Sequence, residues 1–149
     1  MERDVVVVLD KVFELAGRIG ELMKESLTER GLTPARAEVL LVLHHHGEPM
    51  VQRELSQALR CTPRHVTALV DALETHDWAV RRPHPTDRRA TLVSLTRKGA
   101  TATGHLDRER RTAARAILGD LPARDLAGFM KVADRVLGHL TPQDTPRSD

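Results

Sequence analysis

RRPHPTDRRATLVSLTRKG, residues 81–99, sets four arginines around a His-Pro-Thr-Asp tetrapeptide and then turns β-branched. The run predicts a hairpin, with strands over about 78–82 and 90–95 and a tip at Pro85-Thr86-Asp87. Arg82, Arg88 and Arg89 then crowd onto one projecting loop with a single aspartate beside them. Like charges held this close repel, so the arrangement calls for a counter-charge from outside the chain.

The preceding stretch, ELSQALRCTPRHVTALVDALE at 54–74, predicts two short helices joined by a tight turn. The first covers about 51–59 on Leu55, Ala58 and Leu59, and Arg60-Cys61-Thr62 form the turn. Thr62 is placed to cap the second helix and Pro63 to open it, where a missing N–H costs nothing. Val66, Leu69, Val70 and Leu73 form the inward stripe of that helix. Thr62, Arg64, His65, Thr67 and Ala68 are left outward near its N-terminus, with Asp71 one turn on. Upstream, Pro34 opens a helix over 34–46 with Val39, Leu40 and Leu43 inward and Gly47 as its stop. A helix-turn-helix followed at once by a hairpin is a winged helix. The fold expected is therefore mainly α with a small β-hairpin wing, of α+β class.

Charge is distributed unevenly. Residues 1–30 carry five basic and seven acidic side chains, whereas 53–98 carry nine basic and five acidic, with His65, His76 and His84 in addition. One basic segment in a chain of net charge +2 points to a polyanion met at one surface. With 2% aromatic residues and no tyrosine, the chain lacks the stacking platforms used on single strands, so duplex DNA is the better partner. Small and forked-donor side chains on the second helix fit a major groove, and a helix N-terminus favours phosphate. A narrow minor groove attracts an arginine presented on a loop, and Asp87 lies close enough to orient the Arg89 guanidinium.

The 149 residues read most simply as one domain, with the winged helix-turn-helix over 32–99. No apolar run reaches the roughly 18 residues of a membrane span. Val5–Leu9 is too short for that, and it follows Glu2 and Asp4 rather than a basic leader, so no signal peptide is expected. A single cysteine, Cys61, fits a reducing cytoplasm.

Long amphipathic helices flank the winged segment. Val5, Val8, Val12, Leu15, Ile19 and Leu22 alternate spacings of three and four, and a second row from Leu9 and Phe13 widens the face. Such a face is either buried in its own domain or shared with a second subunit. A charged helix over 97–118 carries a sparse stripe of Leu106, Ala113, Ala116 and Ile117, with Gly99 and Gly104 weakening its first turns. Leu126, Met130, Ala133, Leu137 and Leu140 repeat the pattern after Pro122. The segments 1–30 and 100–140 are expected to form a homodimer, and 141–149 to be a flexible tail.

The run from Leu32 to Gly99 resembles the MarR family of winged-helix transcription regulators. The resemblance is carried by Leu32-Thr33, by residues 54–74, by WAVRR at 78–82 and above all by DRRATLVSLTRKG at 87–99. It implies a homodimer on a pseudo-palindromic operator, most often repressing until a small molecule such as an aromatic acid releases it. It also implies that Arg89 enters the minor groove with Asp87 as its partner, and that 62–68 are the major-groove end of the recognition helix. Asp77 stands where the family often has glycine. Aspartate tolerates the left-handed conformation, so a small stability cost and no change of fold are expected.

Other signals carry less. His44, His45 and His46 point about 100° apart on a helix and cannot converge on one ion, so no metal is expected, although one or two could line an effector pocket. Cys61 precedes a helix N-terminus, which can lower a thiol pKa, but a small buried turn residue is the plainer account. Trp78 is expected to anchor the wing on the core. No phosphate loop, metal-spaced pair or nucleophile elbow occurs, so neither an enzyme nor a cofactor is expected. The competing class is a winged-helix protein-interaction module that does not bind DNA.

Overall fold

Thr33 and Pro34 start the first of three short helices. The Thr33 side chain accepts from the Arg36 N–H, and Gly47, at φ 79°, ends the helix in the left-handed conformation. In the computed structural model, which describes residues 1–140, the elements run α1 (Glu2–Thr28), α2 (Pro34–His46), β1 (Met50–Val51), α3 (Gln52–Leu59), α4 (Pro63–Thr75), β2 (Ala79–Pro83), β3 (Thr91–Leu95), α5 (Arg97–Leu118) and α6 (Ala123–Leu140). The tail at 141–149 lies outside the described residues.

The chain divides into two compact units, Met1–Asp107 and Arg108–Asp149. In the first, Leu40, Leu55, Val66, Val70, Leu73 and Val93 are almost wholly removed from water and form one core beneath the winged helix. All of these residues come from α2, α3, α4 and β3, so apolar burial holds the helix-turn-helix and the wing together. The sheet has the order β1-β3-β2, all antiparallel, with Arg82 opposite Leu92 and Pro83 opposite Thr91. The two-residue β1, pairing Met50 with Val93, is a third strand that the hairpin pattern does not announce. On α3, Ala58 is exposed and Ser56 is buried in its place, since the Ser56 hydroxyl is satisfied by the Cys61 carbonyl at 2.7 Å.

The expected stripe of α5 is corrected. Its inward face is Gly99, Thr103 and Asp107, with Leu106 only partly buried, and Ala113, Ala116 and Ile117 are exposed. Gly99 does more than weaken a first turn. A Cβ there would lie 1.9 Å from the Trp78 carbonyl oxygen. The helix start thus sits directly on that backbone, too close for large side chains. The polar residues one and two turns on are satisfied locally: Thr103 Oγ1 donates to the Gly99 carbonyl at 2.6 Å, and Asp107 Oδ1 lies 2.9 Å from His45 Nε2.

Along α1 only Leu27 is buried, and Phe13 remains 67% exposed. The second unit comprises the rest of α5 together with α6, which buries no residue and leaves Phe129 60% exposed. Both apolar faces predicted for the terminal helices are present and stand uncovered. No helix among the described residues is long and apolar enough to cross a membrane.

Candidate nucleic-acid interface

Thr62 places the N-terminus of α4. Its Oγ1 accepts from the His65 N–H at 3.2 Å, and Pro63 occupies the first helical position. The turn before it is closed by Arg60, at φ 51°, and by the Ser56–Cys61 bond. Thr62, Arg64, His65, Thr67 and Ala68 are all exposed on this end, while Val66, Val70 and Leu73 are buried and Leu69 half-buried. The outward face therefore carries the residues expected of it. Thr62→Ala is expected to lower stability by about 1 kcal/mol, measured by thermal denaturation, because the His65 N–H loses its acceptor.

Thr67 differs in what it can offer. Its hydroxyl proton goes to the Pro63 carbonyl at 3.0 Å, and its oxygen accepts from Gln52 Nε2 at 2.9 Å. It can accept from a partner but has no proton to give one.

The wing joins α4 through a tight corner. Asp77, at φ 57°, takes the left-handed conformation that an ordinary residue avoids, so the chain reverses without glycine there. The Trp78 N–H donates to the Leu73 carbonyl at 2.9 Å and its side chain packs on the core, which anchors the wing as expected. At the tip, His84 Nδ1 accepts the Thr86 and Asp87 N–H groups at 3.2 and 3.0 Å. Asp87 Oδ1 accepts the Arg89 main-chain N–H at 2.9 Å. The aspartate therefore fixes the backbone of Arg89, where orientation of the guanidinium had been expected. Arg82, Asp87, Arg88 and Arg89 are exposed, and among the described residues no ion pair engages Arg82, Arg88 or Arg89.

Arg81, the remaining arginine of the quartet, is not among these. It pairs with Asp71 and Glu74 of α4 at 2.6 and 2.5 Å. The sequence pattern counts it in the arginine quartet but assigns it no place on the projecting loop. The signal that separates it is the Asp71/Glu74 spacing of three, which sets both carboxylates on one side of α4.

Cys61 is half-buried, and burial pushes its thiol pKa up, with the Glu38 carboxylate adding to the effect. The thiol is thus not activated by the helix it precedes. His45 is engaged by Asp107, whereas His44 borders an open hollow of about 310 Å³ shared with Leu43, Pro49, Leu95 and Ala100.

A core-anchored helix-turn-helix, an exposed capped helix end and a braced cationic hairpin define a winged helix-turn-helix protein. Residues 30–90 match the family model described as the MarR family. The HTH-type transcriptional regulator MhqR of Bacillus subtilis (strain 168) is 30% identical over 93 residues, covering 62% of this chain and 61% of that protein. The HTH-type transcriptional repressor MdtR of the same organism is 33% identical over 96 residues, covering 64% and 59%. The chain thus spans about three fifths of the length of these curated relatives. Both are named as regulators of transcription, not as enzymes. Among solved structures, the S. aureus MepR–DNA complex shares the fold with a TM-score of 0.77 at 16% identity, covering 89% of this chain and 97% of that one.

Proposed function

We propose that this protein is a sequence-specific, duplex-DNA-binding transcription regulator of the cytoplasm. It binds a pseudo-palindromic operator as a homodimer and represses until a small molecule, such as an aromatic acid, releases it. In this reading Thr62, Arg64, His65, Thr67 and Ala68 face the major groove. Arg82, Arg88 and Arg89 meet the backbone and minor groove, on a tip that Asp87 holds in shape. The observation that carries the proposal is a hairpin with three exposed arginines, without an ion pair among the described residues, beside a capped, outward helix end in one cored unit. Pairing is supported by the uncovered apolar faces of α1 and α6, wider than a soluble monomer ordinarily exposes. The hollow beside His44 offers an effector a place against α2.

The test is duplex binding at several salt concentrations. Each phosphate neutralised contributes about −0.9 to the log–log slope, so several contacts give a slope steeper than about −4. Weak binding that ignores salt would instead favour a protein-interaction module.

A further inference from the structure

Arg81 is built unlike its neighbours on the wing. Its side chain is 22% exposed and reaches two other elements at once. Nε donates to Gln52 Oε1 of α3 at 3.0 Å. One Nη donates to the carboxylates of Asp71 and Glu74 at 2.6 and 2.5 Å, and the other to the Thr67 carbonyl at 3.0 Å. The Arg81 main-chain N–H lies 3.4 Å from the second Glu74 oxygen. Four of the five guanidinium donors are therefore used inside the protein, leaving almost nothing for a phosphate. Gln52 closes the ring by donating to Thr67 Oγ1 at 2.9 Å. One strand of the wing is thus bolted to successive turns of α4 and to the start of α3. The bolt also neutralises two carboxylates that would stand beside a polyanion, Asp71 being well exposed.

We propose that Arg81 is a positioning residue: it sets the wing's placement on the recognition helix and holds Asp71 and Glu74 against itself, without touching the duplex. The proposal rests on the DNA-binding reading above. It makes a prediction whose sign opposes simple electrostatics. Glu74→Gln removes a negative charge near the duplex and one of the two carboxylates that hold Arg81, so charge alone would tighten binding. Positioning predicts the reverse.

The experiment measures the full chain, as wild type, Glu74→Gln and Arg81→Lys, by fluorescence anisotropy. The probes are the duplex that the wild type selects from a random pool and a scrambled duplex of equal length. Both variants are expected to bind the selected duplex roughly tenfold more weakly, with an unchanged salt slope and undiminished scrambled-duplex binding. Lysine keeps the charge but lacks the fork, so it should not rescue a clamp, whereas it would serve a phosphate contact. Glu74→Gln binding the selected duplex as well as the wild type overturns the proposal. Equal losses on both duplexes also overturn it, because they mark a general folding defect. A wild-type chain that binds neither duplex overturns the DNA-binding reading together with it.

Discussion

Gly99→Ala is expected to cost the winged helix about 3 kcal/mol, at the upper end of overpacking effects. Alanine usually strengthens a helix relative to glycine, by up to about 1 kcal/mol, so the sign here is decided by tertiary contact. The added Cβ would meet the Trp78 carbonyl oxygen at 1.9 Å and its carbon at 2.8 Å. Neither can move cheaply. The Trp78 carbonyl also accepts the Thr96 N–H at 3.2 Å, and the Trp78 N–H is bound to Leu73, so a shift would loosen the α4–wing corner. Relief by moving α5 would strain the Thr96 cap, whose Oγ1 accepts the Gly99 N–H at 3.0 Å and donates to the Asp77 carbonyl at 2.6 Å. A chemical denaturation series measures the loss directly, and a midpoint equal to the wild type would refute the close approach of α5 to Trp78.

On the proposed DNA-binding function, Arg89→Ala is expected to weaken operator binding by about 1–3 kcal/mol while leaving the fold and the oligomeric state unchanged. The residue is exposed, its guanidinium makes no ion pair among the described residues, and its backbone is fixed by Asp87. Removal therefore takes nothing from the core and one of the three exposed cationic charges that the wing presents. Anisotropy titration on the selected duplex measures the effect, and size-exclusion chromatography measures the oligomeric state. Arg89→Lys should keep the salt slope yet lose part of the affinity, since a compact ammonium lacks the planar fork. Wild-type affinity in Arg89→Ala would remove the wing from the interface.

Most of the winged helix was legible in the chain because its signals are local. Pro34, Gly47, Thr62 and Pro63 mark helix ends through their own backbone and side-chain chemistry, and the structure places those ends where they mark them. The inward stripe of α4 follows from spacing alone. What was not legible depends on contacts between distant segments. The pairing of Met50 with Val93 needs the hairpin already folded. The inward face of α5 is set by how near its first turn comes to Trp78, a distance no helical period encodes. At the candidate site, exposure of the α4 residues and of Arg82, Arg88 and Arg89 was readable from pattern. The different fate of Arg81 was not, because it takes Gln52, 29 positions away, and two carboxylates on another element to claim it. Asp87 illustrates a finer limit: a spacing of two brings its carboxylate to Arg89, but only the turn decides that the main chain receives it.

The sheet has β3 at its centre, so β2 is an edge strand with no strand beyond it. A free strand margin is where another chain's strand can add on and begin a fibre, a hazard for a protein that already bares two apolar helices. Here the Arg81 amide is turned to Glu74, Pro83 has no amide to offer, and Arg82 sets a charge between them. The same few residues that shape the wing also deny its margin to a stranger's strand.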